Sequence, residues 1–131
     1  MSNTILVVED EPGIRELAVE ALREAGHGVL EAASGCAAML LFEQHPEIDL
    51  IFTDIVMPGI DGFKVADMAK VRRPEVKILY VTGFEHLTRS FLGIVHGRIL
   101  RKPYRQSELL QAVEETLVSN AVPASSKRLV P

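Results

Sequence analysis

The chain has 131 residues, enough for one ordinary domain with little room for a second. Its composition, 47% hydrophobic and 24% charged, is typical of a globular protein that buries a core without disulfides or a structural metal. The net charge is -4 and the basic residues are scattered, so we expect no direct binding of nucleic acid. Because Cys36 is the lone cysteine and no stretch resembles a signal peptide or a membrane span, we expect a cytoplasmic protein that does not bind membranes.

Apolar runs of strand length alternate with segments of helical period along the chain. This alternation predicts an α/β fold in which helices cover both faces of a parallel sheet. The first strand runs from Ile5 to Val8 and is continuously apolar, as a strand buried on both faces should be. It ends at an acidic turn with Glu9 and Asp10, and Pro12 then suits the first turn of a helix.

Two helices are predicted in the first third of the chain. The first spans about Gly13 to Ala25, and its apolar face consists of Ile14, Leu17, Ala18, Ala21, Leu22 and Ala25. A short second strand, Val29 to Ala32, leads to Ser34, which can cap the next helix. The inner face of that helix is predicted to consist of Cys36, Ala37, Leu40 and Leu41. Cys36 is therefore expected to pack in the core.

The middle of the chain contains two further strands and a helix. The third strand, Asp49 to Thr53, is followed by Asp54, which stands where the strand gives way to a turn rich in proline and glycine. A third helix is predicted from about Phe63 to Arg72. The fourth strand, Val76 to Val81, ends at Thr82, so a second polar side chain follows a strand end.

The last part of the chain contains a fifth strand and a final helix. The strand runs from Arg98 to Arg101 and is followed by Lys102, and the amphipathic helix starts near Ser107. Between the fourth and fifth strands the segment is short and contains glycine, which predicts a short or irregular fourth helix. We expect one domain over residues 1–119 and a disordered tail over residues 120–131, which contain two prolines and two serines.

Polar side chains follow the ends of four predicted strands, namely Glu9, Asp10, Asp54, Thr82 and Lys102. The carboxyl ends of parallel strands meet at one edge of a sheet, so we expect these side chains to face one small region. Two carboxylates about 4 Å apart repel by about 4 kcal/mol at an effective dielectric of about 20, so three of them require a cation or raised pKa values. Oxygen ligands without clustered histidine or cysteine favour a hard ion, and Mg²⁺ suits the site if phosphate also enters.

The motifs that carry these residues resemble a response-regulator receiver domain. They are the acidic turn, Asp54 with Met57-Pro58-Gly59 behind it, Thr82-Gly83 and Lys102-Pro103, in family-like order over about residues 3 to 119. The resemblance implies the CheY-like, flavodoxin-like (βα)₅ fold, a doubly wound parallel five-stranded sheet of order 2-1-3-4-5. It also implies a role in two-component signal transduction, with a cis Lys102-Pro103 bond.

The same resemblance implies the chemistry of each site residue. Asp54 would accept a phosphoryl group from a phosphohistidine of a sensor kinase, with Thr82 and Lys102 contacting the new phosphoryl group. The implied Mg²⁺ ligands are Asp10, Asp54, the backbone carbonyl of Val56 and, through water, Glu9. A receiver of this kind is not an enzyme beyond its own phosphorylation and dephosphorylation.

The implied partners are a sensor histidine kinase or phosphotransfer protein and a downstream protein. In this family the output surface is formed by the fourth and last helices and the fifth strand, and a homodimer through that face is one expectation. Many receivers place Tyr or Phe three residues before the lysine of the fifth strand, where this chain has Ile99. Ile99 and the short segment before the fifth strand therefore leave open a phosphorylation-independent (pseudo-receiver) interaction module, although the acids, Thr82 and Lys102 argue against it. The receiver portion of a hybrid histidine kinase is a further alternative.

Two other functions fit the sequence poorly. A hydrolase of the haloacid dehalogenase type would also use an aspartyl phosphate and Mg²⁺, but the second aspartate expected two residues after its nucleophile is replaced by Val56. A flavin carrier of similar fold needs a phosphate-binding loop after the first strand, where this chain has acids that repel phosphate. The phosphorylated signalling domain remains the leading hypothesis.

Overall fold

Strands and helices alternate in the computed structural model, which describes residues 3–83 and 95–119. In chain order the elements of these residues are β1 (Thr4–Val8), α1 (Pro12–Glu24), β2 (Gly28–Ala32), α2 (Gly35–Gln44), β3 (Ile48–Asp54), α3 (Gly62–Arg72), β4 (Lys77–Thr82), β5 (Gly97–Arg101) and α4 (Gln106–Val118). The predicted helix between β4 and β5 and the predicted tail from residue 120 lie outside the described residues. Within the described ranges, no helix is long and apolar enough to cross a membrane.

All neighbouring strands of the sheet are parallel, and their order is β2-β1-β3-β4-β5. This order confirms the predicted doubly wound α/β fold. Alternate residues of each strand point to opposite faces. On β1, Leu6 and Val8 join the core under α2 and α3, whereas Ile5 and Val7 join the core under α1 and α4. Burial on both faces explains why this strand is continuously apolar.

The predicted inner face of α2 is wrong for Cys36 and Leu40, whereas Ala37 and Leu41 are partly buried against the core as predicted. Cys36 is exposed and Leu40 is 61% exposed, whereas Ala38, Met39 and Phe42 are buried. Most of this helix is apolar on every side, so the hydrophobic period does not determine which side faces the sheet. The predicted cap is confirmed, because the Ser34 side chain accepts a hydrogen bond of 3.1 Å from the backbone N–H of Ala37.

The predicted apolar face of α1 is also wrong at its edges. Leu17 is 70% exposed, and Ala25 is exposed just beyond the end of the helix. Val19, which the pattern did not include, is buried beside Ala18 and Leu22. Because α1 packs against both the sheet and α4, its buried stripe follows these two neighbours rather than a single apolar row.

The turn after β3 fixes the position of Asp54. The backbone N–H of Gly62 donates a 2.9 Å hydrogen bond to the carbonyl of Ile55, and a Cβ at Gly62 would lie 2.2 Å from the carbonyl oxygen of Asp54. Only glycine permits so close an approach. Asp61 then caps α3 by accepting a 2.8 Å hydrogen bond from the N–H of Lys64. The end of β3 is thus held against the start of α3.

The packing of α2 predicts opposite results for two adjacent residues. Met39→Ala removes a buried side chain and should lower the free energy of unfolding by about 2–5 kcal/mol. Leu40→Ala, on the exposed side, should change it by no more than about 0.5 kcal/mol. Urea unfolding of the two variants measures both values. A larger loss for Leu40→Ala would show that α2 has the orientation suggested by the sequence.

Candidate functional site

The carboxyl ends of the strands meet at one edge of the sheet, and backbone hydrogen bonds extend the pairing past those ends. The N–H of Ile55 donates to the carbonyl of Val81 at 2.9 Å, and the N–H of Lys102 donates to the carbonyl of Thr82 at 2.8 Å. The residues just after β3 and β5 are therefore positioned by β4 between them. Side chains at these positions have little freedom to separate.

Three carboxylates come together at this edge. One oxygen from each of Glu9, Asp10 and Asp54 lies within 4.8 Å of the others. Glu9 and Asp54 are buried, with 4% and 6% of their surface exposed, whereas Asp10 is exposed. Such oxygen-only ligands suit a hard divalent cation such as Mg²⁺, and an open side leaves room for further ligands.

The ammonium group of Lys102 lies between two of these acids. Its Nζ donates hydrogen bonds of 2.9 Å to Oδ2 of Asp54 and of 2.9 Å to Oε1 of Glu9. The other oxygen of Asp54, Oδ1, accepts a 3.2 Å hydrogen bond from the backbone N–H of Val56. Both oxygens of the Asp54 carboxylate therefore have partners that fix its orientation.

Burial and charge shift the pKa values of two of these groups. Burial raises the pKa of Glu9, and the nearby negative charge of Asp54 adds to this effect, while the hydrogen bond from Lys102 opposes it. Burial by itself lowers the pKa of Lys102, but its hydrogen bonds to Asp54 and Glu9 outweigh burial and leave that pKa above its ordinary value. The ammonium is thus kept charged by the acids that it bridges.

Comparison with known proteins identifies the family. The model of the response regulator receiver domain matches residues 5–114. The chain belongs to this family. Receiver domains are signalling modules of two-component systems, and this receiver shares their sheet order.

Two curated relatives of this receiver differ greatly in length. It is 32% identical over 117 residues to the response regulator receiver protein CpdR of Brucella abortus (strain 2308), covering 88% of this chain and 97% of CpdR. It is 34% identical over 119 residues to the sensor kinase CckA of the same strain, covering 88% of this chain and 13% of the kinase. Similar receivers thus occur both alone and within large kinases.

Solved structures give the same result. The receiver domain of the hybrid histidine kinase CckA matches with a TM-score of 0.76 and 33% identity, covering 88% of this chain and 99% of that one. A response regulator receiver protein from Sinorhizobium medicae WSM419 matches with a TM-score of 0.80 and 31% identity, covering 88% and 94%. The fold of the receiver and its family therefore agree.

The remaining predicted residues lie at or beside the same edge. Thr82 is buried at the end of β4, and Val56, in the turn after β3, is 41% exposed. The Lys102-Pro103 bond is cis, as the resemblance implied. Ile99 is partly buried against the core under α2 and α3, and its partner on β4 is the fully buried Tyr80. Ile99 is thus paired with an aromatic residue of the neighbouring strand.

Sequence reasoning missed Arg15. Its Nη1 donates a 2.8 Å hydrogen bond to the carbonyl oxygen of Glu9, and its Nε donates to Oε1 of Glu31 at 3.1 Å. An arginine in the first half of a helix ordinarily indicates only a solvated charge. Nothing in its spacing connects it with the acidic turn, because the contact depends on the angle between α1 and the sheet.

Sequence reasoning also missed an apolar groove beside Lys102, between α1 and the start of α4. Its lining includes Ile14, Leu17, Pro103 and Tyr104. The ring of Tyr104 packs edge-on against Phe52, with the ring centroids 6.2 Å apart. The exposure of Leu17, which the amphipathic pattern assigned to the core, is the structural signal of this groove.

The acidic site makes stability depend on pH in a defined direction. A carboxyl group whose pKa is raised on folding binds protons more tightly in the folded state, so the free energy of unfolding falls as pH rises above the ordinary value of 4.5. Lys102→Met removes the hydrogen bond that opposes this shift in Glu9. Between pH 4.5 and pH 7 the free energy of unfolding of this variant should therefore fall more steeply than that of the wild type. The slope can reach about 1.4 kcal/mol per pH unit for each extra proton that the folded state binds.

Urea unfolding at several pH values, with a chelator present, measures this slope. Lys64→Met is the matched control, because Lys64 is exposed on α3 and its loss should leave the slope as in the wild type. Parallel pH profiles for Lys102→Met and wild type would contradict the predicted coupling between Lys102 and Glu9.

Proposed function

We propose that this receiver accepts a phosphoryl group on Asp54 from a phosphohistidine of a sensor histidine kinase or phosphotransfer protein, in a Mg²⁺-dependent reaction. The observation that carries the proposal is the position of the Lys102 ammonium, 2.9 Å from an oxygen of Asp54, within the cluster of acids. One site then contains a nucleophilic carboxylate, acids that can bind a cation, and a positively charged group that can bind phosphate. The receiver acts only on its own phosphorylation state and has no separate substrate.

Asp54 is the nucleophile in this proposal. One of its carboxylate oxygens attacks the phosphorus atom, the bond between phosphorus and the imidazole nitrogen breaks, and the imidazole leaves with the electron pair of that bond. The product is an acyl phosphate on Asp54. The hydrogen bonds from Val56 and Lys102 hold the carboxylate in one orientation beforehand, which reduces the entropy lost on reaching an in-line geometry.

The negative charge of the transferred group requires compensation. The proposed Mg²⁺ ligands are Asp10, Asp54 and the backbone carbonyl of Val56, with Glu9 acting through water. When bound, Mg²⁺ supplies positive charge beside the oxygens of the phosphoryl group. Lys102 donates to a phosphoryl oxygen in place of its present bond to Asp54, and the hydroxyl of Thr82, buried at the next strand end, donates to another.

Phosphorylation would then alter a surface that a downstream protein reads. The proposed output surface contains β5 and α4, which are joined by an ion pair between Arg98 and Glu115. Residues 1–119 are proposed as the receiver domain, and the unequal lengths of CpdR and CckA allow it to act alone or within a hybrid kinase. We also propose that the phosphorylated form can pair with a second copy through the output surface.

The proposal predicts one site of modification. Incubation with acetyl phosphate and Mg²⁺ should add a single phosphoryl group to the wild type, measured by intact mass, and Asp54→Asn should add none because it lacks the nucleophilic carboxylate. Asp49→Asn is the matched control, since Asp49 lies on the same strand at the opposite end and should leave modification unchanged. A chelator should abolish modification of the wild type.

Failure of modification would favour another function. If the wild type gains no phosphoryl group and binds no Mg²⁺, the phosphorylation-independent interaction module becomes the better explanation. If Asp54→Asn is modified as fast as the wild type, the phosphoryl group is on another residue and the proposed role of Asp54 is wrong.

The apolar groove beside the site suggests how a protein donor approaches. A phosphohistidine that reaches Asp54 brings its own protein against the surface next to Lys102, where Leu17 is 70% exposed. Apolar surface beside a reactive group favours association with an apolar partner surface, whereas acetyl phosphate is too small to need it. We therefore propose that the phosphohistidine donor contacts this groove.

Leu17→Arg should separate the two kinds of donor. Transfer from a phosphotransfer protein that modifies the wild type should slow about tenfold, as expected when a contact worth about 1–2 kcal/mol is lost. Modification by acetyl phosphate should stay at the wild-type rate. Leu40→Arg is the matched control, because Leu40 is similarly exposed but lies on α2, at the opposite face of the sheet. Equal rates for both variants with the protein donor would contradict a role for the groove.

A further inference from the structure

We propose that Arg15 is a positioning residue that sets the geometry of the acidic turn and so determines how tightly the site binds a divalent cation. This inference rests on the proposed function, because it assumes that Glu9, Asp10 and Asp54 hold Mg²⁺. Arg15 is not itself among the proposed ligands. Its role would be carried out through the backbone of Glu9.

The guanidinium group of Arg15 connects the acidic turn to β2. Nη1 donates to the carbonyl oxygen of Glu9 at 2.8 Å, while Nε donates to Oε1 of Glu31 at 3.1 Å. The arginine side chain is 19% exposed, so it is held in place rather than free in solvent. Two donors of one rigid planar group thus fix the distance between the turn and the edge strand.

The backbone N–H and carbonyl of Glu9 both form hydrogen bonds with neighbouring elements. Its N–H donates to the carbonyl of Ala32 at 3.1 Å, at the end of β2, and its carbonyl accepts from Arg15. The carbonyl belongs to the peptide that joins Glu9 to Asp10. Rotation of this peptide would redirect Asp10 and would break the bond to Arg15. The guanidinium therefore restricts the direction in which the exposed carboxylate can point.

The side chain of Glu9 depends on the same turn. Its Oε1 accepts from Lys102 at 2.9 Å, and its Oε2 accepts from the backbone N–H of Glu11 at 3.2 Å. A shift of the turn would therefore move both acids relative to Asp54. Metal sites are sensitive to such shifts, and loss of a group that orients a ligand commonly lowers metal affinity by about 10–100-fold.

If only charge mattered, loss of Arg15 would raise Mg²⁺ affinity instead of lowering it. A positive guanidinium near the acids repels a cation, so its removal would strengthen binding if only charge mattered. Glu31 lies against Arg15 and offsets much of that charge. We therefore expect the loss of geometry to dominate, and Arg15→Lys separates the two effects because it keeps the charge but lacks the planar pair of donors.

The experiment compares Mg²⁺ affinity by isothermal titration for wild type, Arg15→Gln and Arg15→Lys. Arg15→Gln should bind roughly tenfold more weakly, and Arg15→Lys should recover only part of that loss. The matched control is Arg23→Gln, because Arg23 lies on the same helix and also donates to a backbone carbonyl, that of Val29, at 3.3 Å. This control should bind Mg²⁺ as the wild type does.

A second measurement needs no metal. Hydrogen exchange of the Glu9 amide, followed by NMR with a chelator present, should be faster in Arg15→Gln, while the amides within β1 keep their wild-type rates. This local change distinguishes a positioning role from general destabilisation, which would speed exchange throughout the strand. Urea unfolding of the same samples gives the global stability for comparison.

Each outcome has a distinct meaning. A wild type that binds no Mg²⁺ overturns the proposed function and this inference together. If the wild type binds but Arg15→Gln binds equally tightly, only the role of Arg15 is overturned. The role of Arg15 is also overturned if Mg²⁺ affinity falls while the exchange rate of the Glu9 amide is unchanged. It is likewise overturned if Arg15→Lys binds Mg²⁺ as tightly as the wild type. Neither result is expected if Arg15 acts by orienting the acidic turn.

Discussion

The structure depends on the concentration of negative charge at one edge of its sheet. Glu9 and Asp54 are buried there next to Asp10, and the ammonium of Lys102 contacts the two buried acids. Acids this close repel one another strongly unless a cation separates them. The site is therefore stable in its present form because Lys102 bridges it, and the same charge balance would change whenever Mg²⁺ or a phosphoryl group entered. Sensitivity to the proposed ligands would follow directly from this charge balance.

The fold provides the rigidity that this arrangement requires. Glu9 and Asp10 follow β1 and Asp54 ends β3, and both strands are buried on both faces, so these strand ends cannot shift without disrupting the core. Lys102 follows the half-exposed edge strand β5, which is paired with β4 along its length. Backbone hydrogen bonds beyond β3 and β5 extend this order to Ile55 and Lys102, and the close contact at Gly62 limits movement of the turn after Asp54. The contacts of Arg15 do the same for the turn after β1.

Sequence patterns were reliable where one physical effect dominated. Apolar runs between polar turns located all five strands of the sheet to within about one residue across the described ranges. The pattern is clearest in β1, β3 and β4, where burial on both faces disfavours polar side chains within the strand. The faces of α1 and α2 were predicted less well. In α2, Cys36 and Leu40 are as apolar as the buried Met39, so hydrophobicity does not distinguish the two sides. In α1, Leu17 is exposed because the neighbouring α4 leaves an open groove at that position.

The sequence by itself determined the order of strands and helices, the family, and the types of polar residue at the strand ends, because these depend on local pattern and on fixed spacing along the chain. Only the tertiary structure decided that Lys102 bridges Glu9 and Asp54, that Arg15 holds the carbonyl of Glu9, and that Leu17 borders the site. The two contacts of Lys102 join residues that are far apart in sequence, and the contact between Arg15 and Glu9 forms only when α1 packs against the sheet. Their distances depend on the packing angles of helices against a twisted sheet, and no single segment of the chain encodes those angles.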